Sequence, residues 1–255
     1  MRTIDFSQVL FDSLQFCGND RHNISDETFS QFRDFCSFRL REAWESFQWS
    51  DVCKLSKLTT QVDANEVTYV TLPADCGEVL GIFSRNPQAT TKAVEVQFQL
   101  HNNSGTARAV LSNVLDEVWC FYRIKCPTLS GEAYAATTPY YKDALAYFDA
   151  GAGTGTFIPV LGKPCRGNFY KCLDNGPITG ESPTASPAKW EIVEIPYIFA
   201  SYMSWGAAAN FFASEMMLQE AATIESKAKE VLEQEYDKVL RQQGQFGRMN
   251  MVKTY

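Results

Sequence analysis

Residues 196–255 constrain the fold more than any other stretch of the 255-residue chain. Between Pro196 and Ser214 there is no charge, and Tyr197, Ile198, Phe199, Tyr202, Met203, Trp205, Phe211 and Phe212 crowd the run. Pro196 suits a first helical turn, where its missing N–H has no partner to lose. After Glu215 the apolar residues Leu218, Ala221, Ile224, Ala228, Val231, Leu232, Tyr236 and Val239 recur every three or four positions, which predicts one apolar helix face. Glu225 with Lys229 and Asp237 with Arg241 stand four apart on the other side, each pair adding a few tenths of a kcal/mol. Gly244 predicts the stop. Unbroken, such a helix would run roughly 70 Å at ~1.5 Å per residue. It is therefore expected to bend near Gly206 or Ser214, or to reach out of its own subunit. The uncharged run has about the length of a membrane span. Yet Ser201, Ser204, Asn210 and Ser214 interrupt it, Glu191, Glu194 and Glu215 flank it, and Lys or Arg anchors are missing. The expectation is a helix buried on most sides and no membrane, with residues 206–209 letting another backbone close in.

The N-terminal residues read as helices. Phe6, Val9, Leu10, Ser13, Leu14 and Cys17 trace a short one ended by Gly18. Ser25 is an N-cap followed by Asp26 and Glu27, and the helix it opens carries Phe29, Phe32, Cys36, Leu40, Ala43 and Phe47 on one stripe. Phe35, Phe38 and Trp44 widen that stripe beyond what a lone surface helix needs. From about Leu58 the period becomes two. Val94, Val96, Phe98 and Leu100 alternate with polar residues before the turn signal at 102–105. Residues 117–125 alternate likewise, and 66–72 and 78–84 are shorter strands. Residues 127–194 are rich in Gly, Pro, Ser and Thr but studded with Tyr and Phe, unlike a disordered linker. The class is α+β: a helical bundle from 1–57 and 195–243, an antiparallel β insertion at 58–130, a small loop-rich β module at 131–194, and a tail at 244–255.

A net charge of -7 argues against gripping nucleic acid through its phosphates. The aromatic share, 13% with 18 Phe, points to large packed surfaces or interfaces. Eight cysteines include no CxxC, and with only His22 and His101 there is no zinc spacing. They read as free thiols kept in a reducing cytoplasm, Cys165 with Cys172 being the one plausible local disulfide. The N-terminus lacks the apolar core of a signal peptide. For chemistry, residues 151–155 lack the third glycine of a dinucleotide loop, and Gly162-Lys163 meets Pro164 where a phosphate loop needs Ser or Thr. No GxSxG elbow occurs. No catalytic, metal or cofactor site is expected, and the chain reads as non-enzymatic.

Tyr147-Phe148-Asp149, Gly167-Asn168-Phe169-Tyr170-Lys171-Cys172, Gly180-Glu181-Ser182-Pro183 and Lys189-Trp190-Glu191 resemble the small chitin-binding-type module, although its first tryptophan has no counterpart. The resemblance implies glycan stacking by Tyr147, Tyr170 and Trp190; the alternative is that Tyr170 and Trp190 form the module's own core. Other phrases arrive in a familiar order: 39–45 leading to Trp49, 78–87, 118–123 with Pro127, Trp190-Glu191 with Ile195-Pro196, and Gly206-Ala207-Ala208-Ala209. Together they resemble the head–tail connector, or neck adaptor, proteins of tailed bacteriophages. That resemblance covers most of the chain.

It implies a ring, usually of twelve copies, that sits below the portal protein in the virion neck and is made in the host cytoplasm. Tail or stopper proteins would bind beneath, and double-stranded DNA would pass through without tight binding. Phe32, Phe35, Phe38, Trp44, Phe211 and Phe212 are the expected subunit-interface residues. Glu225, Glu230, Glu233 and Asp237 would line a negative channel or form a solvated helix face. By analogy with the family, Phe246, Arg248, Met249, Met251 and Tyr255 would dock on the portal; the other reading is a frayed end. A rival function is a tail- or capsid-surface protein whose β module binds host glycans.

Overall fold

Apolar spacing at the N-terminus turns into helix as soon as the chain has paired its first residues. The computed structural model describes residues 2–64, 66–89, 92–103 and 106–251, and the side chains of these except 103 and 242–251. Strand β1 (Thr3–Ile4) leads into α1 (Phe6–Phe16), which buries Phe6, Val9, Leu10, Ser13 and Leu14. Gly18 follows at φ 73°, a left-handed position that favours glycine. Helix α2 (Asp26–Ser46) starts at Ser25, whose Oγ accepts the Thr28 N–H at 3.1 Å. Its buried stripe is Phe29, Phe32, Cys36, Arg39, Leu40, Ala43 and Trp44.

Seven strands follow: β2 (Cys53–Thr59), β3 (Gln61–Val62), β4 (Thr68–Thr71), β5 (Cys76–Phe83), β6 (Phe98–Asn103), β7 (Thr106–Leu111) and β8 (Glu117–Ile124). After them come β9 (Glu132–Ala133), β10 (Leu145–Asp149), β11 (Gly167–Cys172), β12 (Trp190–Ile192) and β13 (Ile195–Pro196). A 3-10 turn, Tyr197–Phe199, opens α3 (Ala200–Ser214), and α4 (Leu218–Met251) closes the described chain. The molecule is thus mixed α+β. Among the described residues, no helix is long and apolar enough to cross a membrane.

Two expectations about the last helices are corrected. Pro196 lies in β13 opposite Thr3 of β1, with Tyr197 N–H donating to Arg2 O at 2.8 Å, so the helix begins four residues later. A proline costs little on so short an edge, where its missing N–H is not needed. Gly244 does not stop α4, which runs through it to Met251. A glycine inside a helix costs about 1 kcal/mol relative to alanine but still makes its hydrogen bonds. The chain does bend, at residues 215–217 beside Ser214, where Met216 takes φ 61°.

By their contacts the residues form two units, 1–47 with 127–255, and 48–126. In the first, α1, α2 and α4 all pack on α3. The sheet β12-β11-β10-β9 shares a core with the helices. Phe6 sits at the joint, its ring 4.8 Å from Phe169, 6.1 Å from Tyr147 and 6.3 Å from Phe29. The Phe6 N–H donates to Asn168 Oδ1 at 2.9 Å, and Gly167 N–H donates to Ser7 Oγ at 3.0 Å. On the sheet's other face Tyr140, Ala146, Cys172, Ile178 and Trp190 form a second cluster. The 131–194 segment therefore folds on the helices as well as on itself.

In the second unit the sheets β2-β8-β5 and β3-β4-β7-β6 enclose Val70, Ile82, Val96, Ala109, Leu111, Val118, Cys120 and Tyr122. The alternation predicted at 117–125 is β8, the central strand of its sheet. That predicted from Val94 begins late: β6 starts at Phe98, while Val94 and Leu100 stay exposed. Strands β2 and β7 had not been expected as separate elements.

Candidate functional site

The sequence offered Arg39 only as one letter of a phrase, yet the three long helices meet on it. Its side chain is 7% exposed. Nη1 donates to Glu42 Oε2 at 3.0 Å and to Glu225 Oε1 at 3.2 Å, and Nη2 donates to Glu225 Oε2 at 2.6 Å and to Asn210 Oδ1 at 2.7 Å. Tyr202 Oη donates to Glu42 Oε2 at 2.6 Å and accepts from Arg39 Nη1 at 3.4 Å. Burial opposes the charge on Arg39, but its bonds to Glu225 and Tyr202 outweigh that and its pKa moves up. Burial, then Glu42, pushes the Tyr202 hydroxyl up, so it stays a donor. The buried guanidinium is forked onto the Glu225 carboxylate, which gives this contact geometry as well as strength.

Gly206 explains why the stem fits. A Cβ there would come within 2.6 Å of Arg39 Cδ. The small residues at 206–209 were read as room for another backbone; at Gly206 the room is taken by an arginine of the same chain.

Outward from this pin runs a row of rings. Phe35 lies 6.1 Å from Phe32, Phe32 lies 5.4 Å from Phe211, and Phe211 lies 5.9 Å from Phe212. Phe212 then lines a hollow of about 330 Å³ with Gln219, Glu220, Thr223 and Ile224. Between Phe212 and Gln219 in the chain stand Met216, 83% exposed, Met217, 41% exposed, and Leu218, 68% exposed. The elbow between α3 and α4 therefore exposes three large apolar side chains, two of them methionine. Methionine adapts its shape to a partner. The spacing puts Leu218 on the apolar face of the last helix and gives Met216 no place; the turn at Met216, φ 61°, beside which both stay exposed is not visible in it.

The expected interface residues divide. Phe35, Phe211 and Phe212 are half-buried and Phe38 is exposed. Phe32 and Trp44 are corrected: both are buried within the chain's own core, Phe32 on Phe211 and Trp44 on Phe199. Of the expected channel residues, Glu233 and Asp237 are exposed. Glu225 is spent on Arg39 and Lys229, and Glu230 pairs with Lys227 at 3.0 Å, so neither offers an unpaired charge. The side chains of Phe246, Arg248, Met249 and Met251, and all of Tyr255, lie outside the described residues.

The glycan platform is also corrected. Tyr147 is fully buried, and Trp190 is buried between Tyr134 and Tyr140 with Nε1–H donating to Glu181 O at 3.0 Å. Tyr170, half-buried, packs edge-on to Phe148. A buried ring has no face to give a sugar. The glycine-rich loop at 151–155 is equally self-contained. Asp149 Oδ1 takes the N–H groups of Gly151, Ala152 and Arg166 at 2.8, 3.1 and 2.9 Å. All eight cysteines are free, which corrects the Cys165–Cys172 pair. Cys165 Sγ instead donates to Asp149 Oδ2 at 3.2 Å, and burial, then that contact, pushes its thiol up to about 11. Among the described residues no three His, Cys, Asp or Glu converge as a metal site would need. Compared with known proteins, the chain matches no family model and no curated protein.

Proposed function

We propose that the chain is a non-enzymatic structural protein of a tailed-phage virion, a head–tail connector whose copies stand side by side in a ring below the portal. The observation that carries the reading is the elbow with exposed Met216, Met217 and Leu218, which follows half-buried Phe211 and Phe212 at the end of a row of rings from Phe35. Large apolar side chains exposed together at one turn support an interaction site there. In this reading the four helices act as a bundle, with α2, α3 and α4 held in register by Arg39, and present the elbow to the next copy in a head-to-tail contact that closes. Glu233 and Asp237 face the channel and repel the DNA phosphates. Residues 246–255 dock on the portal.

The test uses the full chain and purified portal protein. The double variant Met216→Glu with Leu218→Glu is expected to fold with an unchanged circular-dichroism melt and to lose ring assembly on the portal, read by mass photometry. A ring that forms as well as in the wild type, or a virion map with this chain nowhere near the neck, sinks the proposal.

A further inference from the structure

Among the described residues the sheet edges are blunted, with one exception. Strand β2 carries Lys54 and Lys57, and β5 is broken by register shifts at Cys76/Glu78 and Val79/Gly81. Strands β1, β3, β9 and β13 have two residues each and β12 has three. Charge, bulges and shortness are the usual defences of an edge against another strand. Strand β6 has none of them. Its six residues pair with β7 without a break, include no charged residue and no proline, and leave Leu100 58% exposed.

The free hydrogen-bonding groups on that edge can be counted. Ser112 N–H donates to Gln97 O at 3.0 Å, which sets the alternation of the β6–β7 ladder. Residues 97, 99 and 101 bond toward β7, so Phe98, Leu100 and Asn102 turn their N–H and C=O groups outward. One step upstream, Val96 turns to that same side, and its N–H is taken by Ile82 O at 2.7 Å. Beyond Val96, none of the described strands continues the pairing.

We propose that β6 is the edge through which two copies of this chain join, antiparallel about a two-fold axis at Leu100. The second copy is the occupant because its other described edges are blunted, leaving β6 as the edge that can receive β6. Placing the axis at Leu100 sets Leu100 against Leu100 of the second copy, Phe98 against Asn102 and Gln99 against His101. All three outward-facing residues are then used, Val96 keeps its bond to Ile82, and no like charges stand opposite one another, which would destabilise the pair. The exposed Leu100 is covered. This contact is isologous and the ring contact is head-to-tail, so the two stand or fall separately.

The experiment is sedimentation equilibrium on the full chain with two edge variants. Wild type is expected to be a concentration-dependent dimer. Leu100→Lys places two ammonium groups at the axis. Leu100→Pro removes one outward N–H per copy and leaves every bond to β7 in place. Each variant is expected to raise the dimer dissociation constant about tenfold or more, with an unchanged melt. In hydrogen exchange the Leu100 amide is slow in the dimer and fast on dilution. The Met216→Glu, Leu218→Glu variant keeps this dimer, and the Leu100 variants keep ring assembly, so the two proposals fail separately. Dimers as tight as wild type in both Leu100 variants overturn the inference. So does a monomeric wild type whose Leu100 amide is protected only when another protein is added, which would give the edge to a foreign strand.

Discussion

The helical unit and the β unit reach a packed core by opposite routes. In residues 48–126 the core is mostly aliphatic, and one continuous segment supplies it: β8 lies between β2 and β5, with Val118, Cys120 and Tyr122 facing in. In the other unit the core is aromatic and assembled from distant segments. Phe6 from the N-terminus meets Phe169, and Arg39 meets Glu225. One core is drawn from a single stretch of chain; the other exists only once residues before 48 have met residues after 126. A substitution in the helical unit should therefore loosen elements far apart in sequence.

The largest expected effect tests that directly. Phe6→Ala removes a fully buried ring that touches α2, β10 and β11, and should cost about 3–5 kcal/mol. Urea unfolding gives the magnitude. Hydrogen exchange gives its reach, and amides of α1 and β11 should both speed up. In the β unit, Ile82→Val trims a fully buried aliphatic and should cost only about 0.5–1.5 kcal/mol. If Phe6→Ala loosens α1 alone, the contrast between the two cores is wrong.

Glu225→Ala comes next. It leaves the buried Arg39 charge without its bidentate partner and should cost about 3 kcal/mol, since breaking one side of a buried pair strands the other. A cycle with Gly206 sharpens this. Gly206→Ala should destabilise the wild type, because its Cβ meets the Arg39 stem, and should stabilise an Arg39→Ala chain by up to about 1 kcal/mol through helix propensity. Additive effects in urea unfolding would show that Gly206 is not there for Arg39.

How much of this the sequence carried follows from the same contrast. The Ser25 cap, the stripe of α2 and the alternation of β8 were legible because each is a local pattern with one buried face. Strand β10 was not: Ala146, Tyr147, Phe148 and Asp149 are all buried, one face on the helices and the other on the Trp190 cluster, so no alternation exists to read. The same two-sided burial makes Tyr147 and Trp190 core, where the resemblance implied sugar platforms and the residues themselves left Trp190 open to a core role. Arg39 was invisible for a related reason. A charge on an apolar stripe looks like a break in the pattern until Asn210 and Glu225 arrive from 171 and 186 residues away.

A third test applies to both cores at once. Burial pushes the thiols of Cys36 and Cys120 up to about 12 from an ordinary 9.0, Ser13 working weakly against it at Cys36 and Cys76 adding to it at Cys120. A folded pKa above the unfolded one means the native state holds the proton more tightly. The stabilisation is complete below pH 9 and is lost as pH climbs from 9 toward 12. By pH 10 each thiol should cost on the order of 1 kcal/mol. Urea midpoints at pH 8 and pH 10 measure the loss, and Cys36→Ala should lessen it by one thiol's share. Midpoints that do not move would mean these thiols are not sealed in the folded state.

The smallest effect expected is at the start of α2. Ser25 caps the helix through the Thr28 N–H, and Asp26 and Glu27 sit where the helix dipole favours negative charge. The cap is exposed, and the nineteen residues from Phe29 to Phe47 gain most of their order from packing, not from the cap. Ser25→Ala should therefore cost about 1 kcal/mol, and Ser25→Asp, which keeps an acceptor, should cost close to nothing. Since the helix carries both Phe29, which stacks on Tyr147 edge-on at 5.1 Å, and Arg39, fraying from Ser25 would reach the aromatic core before the charged pin. Hydrogen exchange in Ser25→Ala should accordingly rise in the first turn of α2 and fade before Cys36. A rise spread evenly to Ser46 would mean that α2 forms or melts as one piece, and that the cap matters to the Arg39 contact as much as to the turn it closes.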